Sequence, residues 1–298
     1  MKNAEIYAAI TEKIITNLEQ AGSWTKLWNV PPPVNLNGRS YRGVNRLTLA
    51  ADNYKSRVYG TFQQIRSNGG SVRRGEKATI IVFWKRELVT DEKTGEKSLK
   101  FLLRYYHVFN TEQADFDQIG KEKIDSLNCE AHSVLIDLPA EEIISGFQDC
   151  PELIFSTSDD DAFYNPVTDL VSVPDRRFFV SVESFYRAVF HELAHSTGHP
   201  KRLNRFETGT GRFGDEKYSK EELVAELCSS FLCGIAGLNK ELTNSAAYIR
   251  GWSSVLKENT KWILWAASRA ERAAEYILGR EESNAPDQSP EPATVTAD

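Results

Sequence analysis

Residues 191 to 199 read His-Glu-Leu-Ala-His-Ser-Thr-Gly-His, and they hold three of the five histidines in the chain. On an α-helix, His191 and His195 fall on one face, one turn apart. That spacing lets two imidazoles grip a single tetrahedral ion. Glu192 lies between them, placed to take a proton from a water that the ion activates. The chemistry this suggests is metal-assisted hydrolysis of a peptide bond, with Glu192 as catalytic base. A solvated polar turn of helix could carry the same letters, but the flanking residues argue against it. Phe185, Ala188, Val189, Phe190, Leu193 and Ala194 make the segment apolar nearly all round, so it should be buried. Polar groups in such a helix are costly unless something engages them. Ser181 reads as its N-cap with Glu183 in the first turn, and Gly198 as its stop.

A third protein ligand must come from another element. Tyr218 to Cys233 reads as a second amphipathic helix, in which Glu222 and Glu226 are four apart and share a face. One could bind the ion while the other holds a histidine ring from behind. Glu222 is preferred as metal ligand, with Glu226 as the outer or alternate one. Ser219-x-x-Glu222 also has the form of a capping box, which would occupy Glu222 with backbone amides and pass its role to Glu226. His199 is a third candidate, since a Gly turn could swing it back. Tyr218 or His199 could add a donor to a developing oxyanion.

The charge balance splits the chain. Residues 1–110 hold 18 Lys and Arg against 9 Asp and Glu, whereas 111–298 hold 18 against 33. Within 39–86 there are 11 basic and 2 acidic residues. A basic half joined to an acidic one is the footprint of a nucleic-acid-binding unit linked to something else. Aromatic residues are interleaved with these cations, as single strands require: a cationic groove for phosphates and rings for unpaired bases. The candidates are Trp24, Trp28, Tyr41, Arg42, Arg46, Arg66, Arg73, Arg74, Lys77, Trp84, Lys85 and Arg104, with Tyr106 able to project from the same sheet. Phe83 and Phe101 are read instead as core fillers. Asn37-Gly38 and Tyr41 to Asn45 read as tight turns where backbone could approach a phosphate.

His191 to His195 followed by Glu222 and Glu226 resembles the zincin-type metallopeptidases in which a downstream glutamate helix completes the site. The 27-residue step from His195 to Glu222 is similar to that of the ImmA/IrrE-like group. Ser23 to Trp28, Asn37 to Asn45 and Arg74 to Trp84 resemble the ArdC antirestriction family. Together the similarity covers about residues 1 to 280. It implies an N-terminal domain binding single-stranded DNA, a C-terminal metallopeptidase-like domain holding Zn²⁺ or another divalent metal, and a plasmid-borne role. In that role the protein protects incoming single strands from host restriction during conjugation.

The expected fold is α+β. A helix over 3–20 carries Ile6, Ala9, Ile10, Ile14 and Leu18 on one face, and Pro31 to Pro33 break into an extended stretch. Helices near 45–54 and 61–67 precede a long β-hairpin, 79–89 with 99–109. The charge flip at 111–135 is read as a linker. Beyond it come a helix at 139–147, a strand meander at 153–156, 162–164 and 170–173, the helices at 181–198 and 219–235, and another at about 243–278. Domains are set at 1–125 (single-stranded DNA) and 136–280 (zincin-like), with a disordered acidic tail at 281–298. No apolar run is long enough to span a membrane, and Met1 to Tyr7 lack a charged-then-apolar leader. Cys129, Cys150, Cys228 and Cys233 form no CxxC pair and read as reduced thiols, so a cytoplasmic setting is expected. Two function classes compete: a DNA-tethered peptidase acting on a DNA-associated protein such as a restriction subunit, or a coating protein whose metal site is structural. Oligomeric state is not legible.

Overall fold

The computed structural model describes residues 2–19, 32–90, 97–129, 139–158, 161–206, 216–238 and 253–280. Trp24, Trp28, Pro31 and the acidic tail lie outside them. Helix α1 (Asn3–Glu19) opens the chain, burying Ile6, Ile10, Ile14 and Ile15 while Ala9 stays exposed. A four-stranded sheet follows in the order β1 (Val34–Asn35), β2 (Val58–Gly60), β5 (Lys97–Asn110), β4 (Thr79–Thr90). The β4–β5 pair is the expected hairpin, in antiparallel register from Thr79 opposite Val108 to Thr90 opposite Lys97. Helix α2 (Val44–Ala50) is shorter than anticipated. It ends because the chain turns through Asn53, whose φ of 60° leaves the helical region. Helix α3 (Phe62–Ser67) starts at Thr61 with a full capping box through Gln64.

Of the stretch expected to be a linker, residues 111–129 are part of the fold, and 130–135 lie outside the described residues. Thr111–Gln113 form a 3₁₀ turn, β6 (Ala114–Phe116) pairs antiparallel with β3 (Gly70–Val72), and α4 (Gln118–Cys129) packs against them. Ile124 and Leu127 share a small core with Val34, Leu36, Val58 and Ile65. A change in charge balance marks no loss of apolar periodicity here, which is why composition misled.

After α5 (Ala140–Gly146) comes a three-stranded sheet of β7 (Glu152–Ser156), β8 (Phe163–Asn165) and β9 (Leu170–Pro174). Its order is β7-β9-β8, with β7 parallel to β9, so it is not a simple meander. Only β8 and β9 are joined by a tight turn, at whose end Asp169 takes a φ of 54°. Four more helices follow among the described residues: α6 (Val182–Ser196), α7 (Glu216–Ile235), α8 (Ser253–Glu258) and α9 (Trp262–Ile277), the last two where one helix at about 243–278 was anticipated, of which 243–252 lie outside the described residues. Helix α7 lies between α6 and α9, and Leu223 to Cys233 are buried almost without exception.

The largest core crosses from one half of the chain to the other. Ile6, Ile10 and Ile14 of α1 and Leu47 of α2 belong to one cluster with Leu256, Ile263 and Ala267. A polar seam runs beside it. The Gly43 amide donates to Glu271 at 2.6 Å, Arg46 pairs with the same carboxylate at 3.5 Å, and its guanidinium lies 4.8 Å from the Phe231 ring centroid. Gly43 has a φ of 54°, so it is the backbone conformation here that favours glycine; a Cβ would make only ordinary contact with Ser268 of α9, at 3.5 Å. Arg42 pairs with Glu275 at 2.7 Å in a more exposed position. Glu271→Ala should therefore cost about 3 kcal/mol, because it leaves a largely buried guanidinium and an amide without an acceptor. Arg42→Ala should cost less than about 1 kcal/mol. Urea unfolding of both variants checks this, and equal small losses would contradict it.

Candidate metal centre

Ser181 caps α6 as expected: its hydroxyl accepts from the Ser184 amide at 2.9 Å. The helix buries Phe185, Val189, Phe190, Leu193 and Ala194 and presents His191 and His195 toward α7. Helix α7 already runs through Glu216, so Ser219 lies inside it and does not cap it. Glu222 is thereby left to face the imidazoles. Its two oxygens lie 3.4 Å from His191 Nε2 and 3.3 Å from His195 Nε2, and those two nitrogens are 3.2 Å apart. One donor atom from each of His191, His195 and Glu222 fits within a 4.8 Å span. Two imidazoles and a carboxylate converging on one point are a donor set suited to a divalent cation. Glu192 is buried one residue along from His191 and close enough to act electrostatically on both rings.

Each ring is also gripped from behind. His191 Nδ1 is 3.4 Å from Glu226, which accepts from Arg187 at 2.6 Å. His195 Nδ1 is 3.6 Å from Glu221, which accepts two bonds from Arg205 at 2.6 and 3.3 Å. Glu226 thus sits on the outer side of His191, away from the atoms that converge. A carboxylate on each Nδ1 fixes both rings with Nε2 inward. Glu221, Arg187 and Arg205 escaped the reading of the sequence. Arg187 is one turn before His191 and was visible in principle. Arg205 depends on a loop that folds back on Gly198, whose carbonyl accepts from the amides of Arg205 and Phe206. Gly198 is needed there because an added Cβ would lie 2.6 Å from the Phe206 ring. The helix itself stops earlier, at Ser196. His199 stays outside the group, its Nδ1 accepting from the Lys201 amide, and the Tyr218 side chain lies outside the description.

The electrostatics follow from these contacts. Burial pushes both imidazoles down, but the carboxylates outweigh it: His191 is raised by Glu222 and Glu226, and His195 by Glu221 and Glu222, to about 10. Burial pushes the carboxyls up, yet all three are held below the usual range, Glu222 and Glu226 by the histidines and Glu221 chiefly by Arg205.

The basic half distributes its candidates unevenly. Tyr41 is buried with Leu49, Tyr59, Ile81 and Val108, and burial pushes its hydroxyl up to about 12, so it offers no face for stacking. Arg46 points into the seam with Glu271, and Trp84 turns inward, its ring 6.4 Å from that of Tyr7. Tyr41 and Arg46 are corrections, imposed by a core and a seam that needed the residues, whereas Trp84 is half-buried and also lines the groove beside Phe83 and Tyr106. Arg42 is exposed but engages Glu275, and Arg73 engages Glu76, Asp115 and the Glu112 carbonyl. Arg66, Arg74, Lys77, Lys85 and Arg104 are exposed. Phe83, expected in the core, is 46% exposed, and the Phe101 side chain is outside the description.

Comparison with known proteins fits both halves. Residues 4–109 match the N-terminal domain of the anti-restriction factor ArdC, and residues 144–269 match a zincin-like metallopeptidase domain. The chain is 32% identical to a metal-free crystal structure of the antirestriction protein ArdC from plasmid R388, covering 92% of this chain and 97% of that one, with a TM-score of 0.68. A Mn(II)-bound structure of that protein gives 30% identity, coverage of 94% and 99%, and a TM-score of 0.68. A DNA primase TraC of Escherichia coli is 32% identical over 97% of this chain, which spans only 28% of that protein's length. The uncharacterized protein y4eC of Sinorhizobium fredii is 30% identical, over 92% of this chain and 91% of its own. Histidine pair, glutamate helix and basic hairpin stand together in one α+β chain, and that chain belongs to the ArdC antirestriction family, with a zincin-like domain in its C-terminal half.

Proposed function

We propose that this protein binds single-stranded DNA through its N-terminal half and hydrolyses peptide bonds at the His191–His195–Glu222 centre, shielding incoming plasmid DNA from restriction. The observation that carries the hydrolytic reading is the convergence of those three donor groups beside a buried Glu192. In this reading His191, His195 and Glu222 hold a divalent metal, zinc by the chemistry of the donors, although the R388 relative has a Mn(II)-bound form. The metal supplies Lewis acidity toward a peptide carbonyl and toward water. Glu192 accepts the proton of the attacking water and delivers it to the departing amine. Glu226 and Glu221 orient the two rings, and Arg187 and Arg205 hold those carboxylates in place. Residues 1–125 and 136–280 act as the two functional units while sharing a core. The substrate would be a protein sitting on the strand, such as a restriction subunit, in the cytoplasm. Among the described residues no helix is long and apolar enough to cross a membrane.

Glu192→Gln should abolish peptidase activity and antirestriction while leaving oligonucleotide affinity and metal content unchanged. Full protection by that variant, measured as survival of incoming plasmid in a restricting host, would assign protection to coating alone.

Metal uptake should depend on pH in one direction. Both histidines are raised, and for His195 the protonated ring's contribution to the fold is present below about 6.5 and is lost as pH rises through about 10. An ion must displace those protons, so affinity for Zn²⁺ should rise from pH 6 to pH 9 with net proton release. Calorimetry in two buffers of different ionisation heat checks this; affinity independent of pH would contradict it.

Arg205→Met should weaken metal affinity by about 10- to 100-fold through loosening Glu221 behind His195. A competition titration against a chromophoric chelator reads this directly, and unchanged affinity would remove Arg205 from the site.

A further inference from the structure

The two faces of the β4–β5 hairpin are unlike. Side chains directly opposite in an antiparallel pair share a face, so Phe83 and Arg104 lie together, with Lys85 and Tyr106 two residues along. The opposite face, with Val82, Trp84, Leu103 and Tyr105, packs on the large core. On the outer face Phe83 is 46% and Tyr106 49% exposed. The two rings touch edge to face, centroids 5.7 Å apart and planes at 70°. Edge-to-face contact leaves π-surface uncovered, unlike a stacked sandwich. Lys85 and Arg104, both exposed, border the open groove that these rings line.

Large apolar rings left in solvent side by side are the informative exception on a protein surface. What they fit is set by their neighbours. Two π-faces flanked by cations, in a region with 11 basic against 2 acidic residues, match a ligand of flat bases on a polyanionic backbone. A lipid or apolar protein partner would call for aliphatic residues where Lys85 and Arg104 stand.

We propose that the outer face of the hairpin, centred on Phe83 and Tyr106, is the platform on which unpaired bases stack, with Lys85 and Arg104 beside the phosphates. This rests on the reading that the N-terminal half binds single strands, and it assigns the stacking to rings other than Tyr41 and Trp84. Base–aromatic stacking predicts a loss of about 5- to 150-fold in affinity per ring removed. Each phosphate-neutralising cation removed should flatten the slope of log affinity against log salt by about 0.7.

The experiment measures fluorescence anisotropy of a labelled oligodeoxythymidine with the full-length protein across a salt series. Phe83→Leu with Tyr106→Leu should weaken binding at least about tenfold with the salt slope unchanged. Lys85→Gln with Arg104→Gln should flatten the slope by about 1.4. Phe83→Tyr with Tyr106→Phe, which keeps both rings, should bind like wild type and separates stacking from folding defects. If wild type does not bind the oligonucleotide, the parent reading fails. If wild type binds and the double leucine variant binds equally well, the platform is overturned while the parent reading stands. Equal competition by duplex of the same length would also overturn it. So would loss of self-association in the leucine variant with DNA binding intact, which would reassign the face to a second copy of the chain.

Discussion

The close packing of α6 on α7 is the constraint on which the site depends. It partly buries two imidazoles against a helix with carboxylates at 221, 222 and 226, and each of these groups would carry a desolvation cost there without a partner. Each finds its partner on the other helix. Glu222 meets both Nε2 atoms, while Glu226 and Glu221 take the Nδ1 sides. The Ser229 hydroxyl donates to the Arg187 carbonyl at 3.1 Å, tying the backbones at the same level. The rings are thus oriented from both sides by carboxylates of α7.

The second constraint is the seam between the halves. Arg46 reaches Glu271 of α9 and lies over Phe231 of α7, the helix that carries Glu222. The basic half is therefore packed against the scaffold of the candidate metal centre. A large apolar cluster drawing on α1, α2 and the C-terminal helices makes the same point energetically.

Much of the site was legible in the sequence because its signals are local. The His191–His195 spacing, the Ser181 cap and the Glu222–Glu226 face depend only on helical periodicity. The capping-box reading of Glu222 failed because Ser219 lies within α7, and helix boundaries are what local propensity fixes least. Glu221 and Arg205 were not legible, since one lies about 100° round the helix from Glu222 and the other arrives through a loop folded over Gly198. In the basic half, periodicity found the hairpin but not which face would be covered. Trp84 and Phe83 are neighbours on opposite faces, and Trp84 is the more covered of the two, its ring 6.4 Å from that of Tyr7 on α1.

Anomalous scattering from crystals grown with Zn²⁺ tests the central claim most directly. The account predicts one strong peak at coordination distance from His191 Nε2, His195 Nε2 and a Glu222 oxygen, with Glu226 and Glu221 retained behind the rings. A peak coordinated by Glu226 in place of Glu222, or no peak between the two helices, would contradict it.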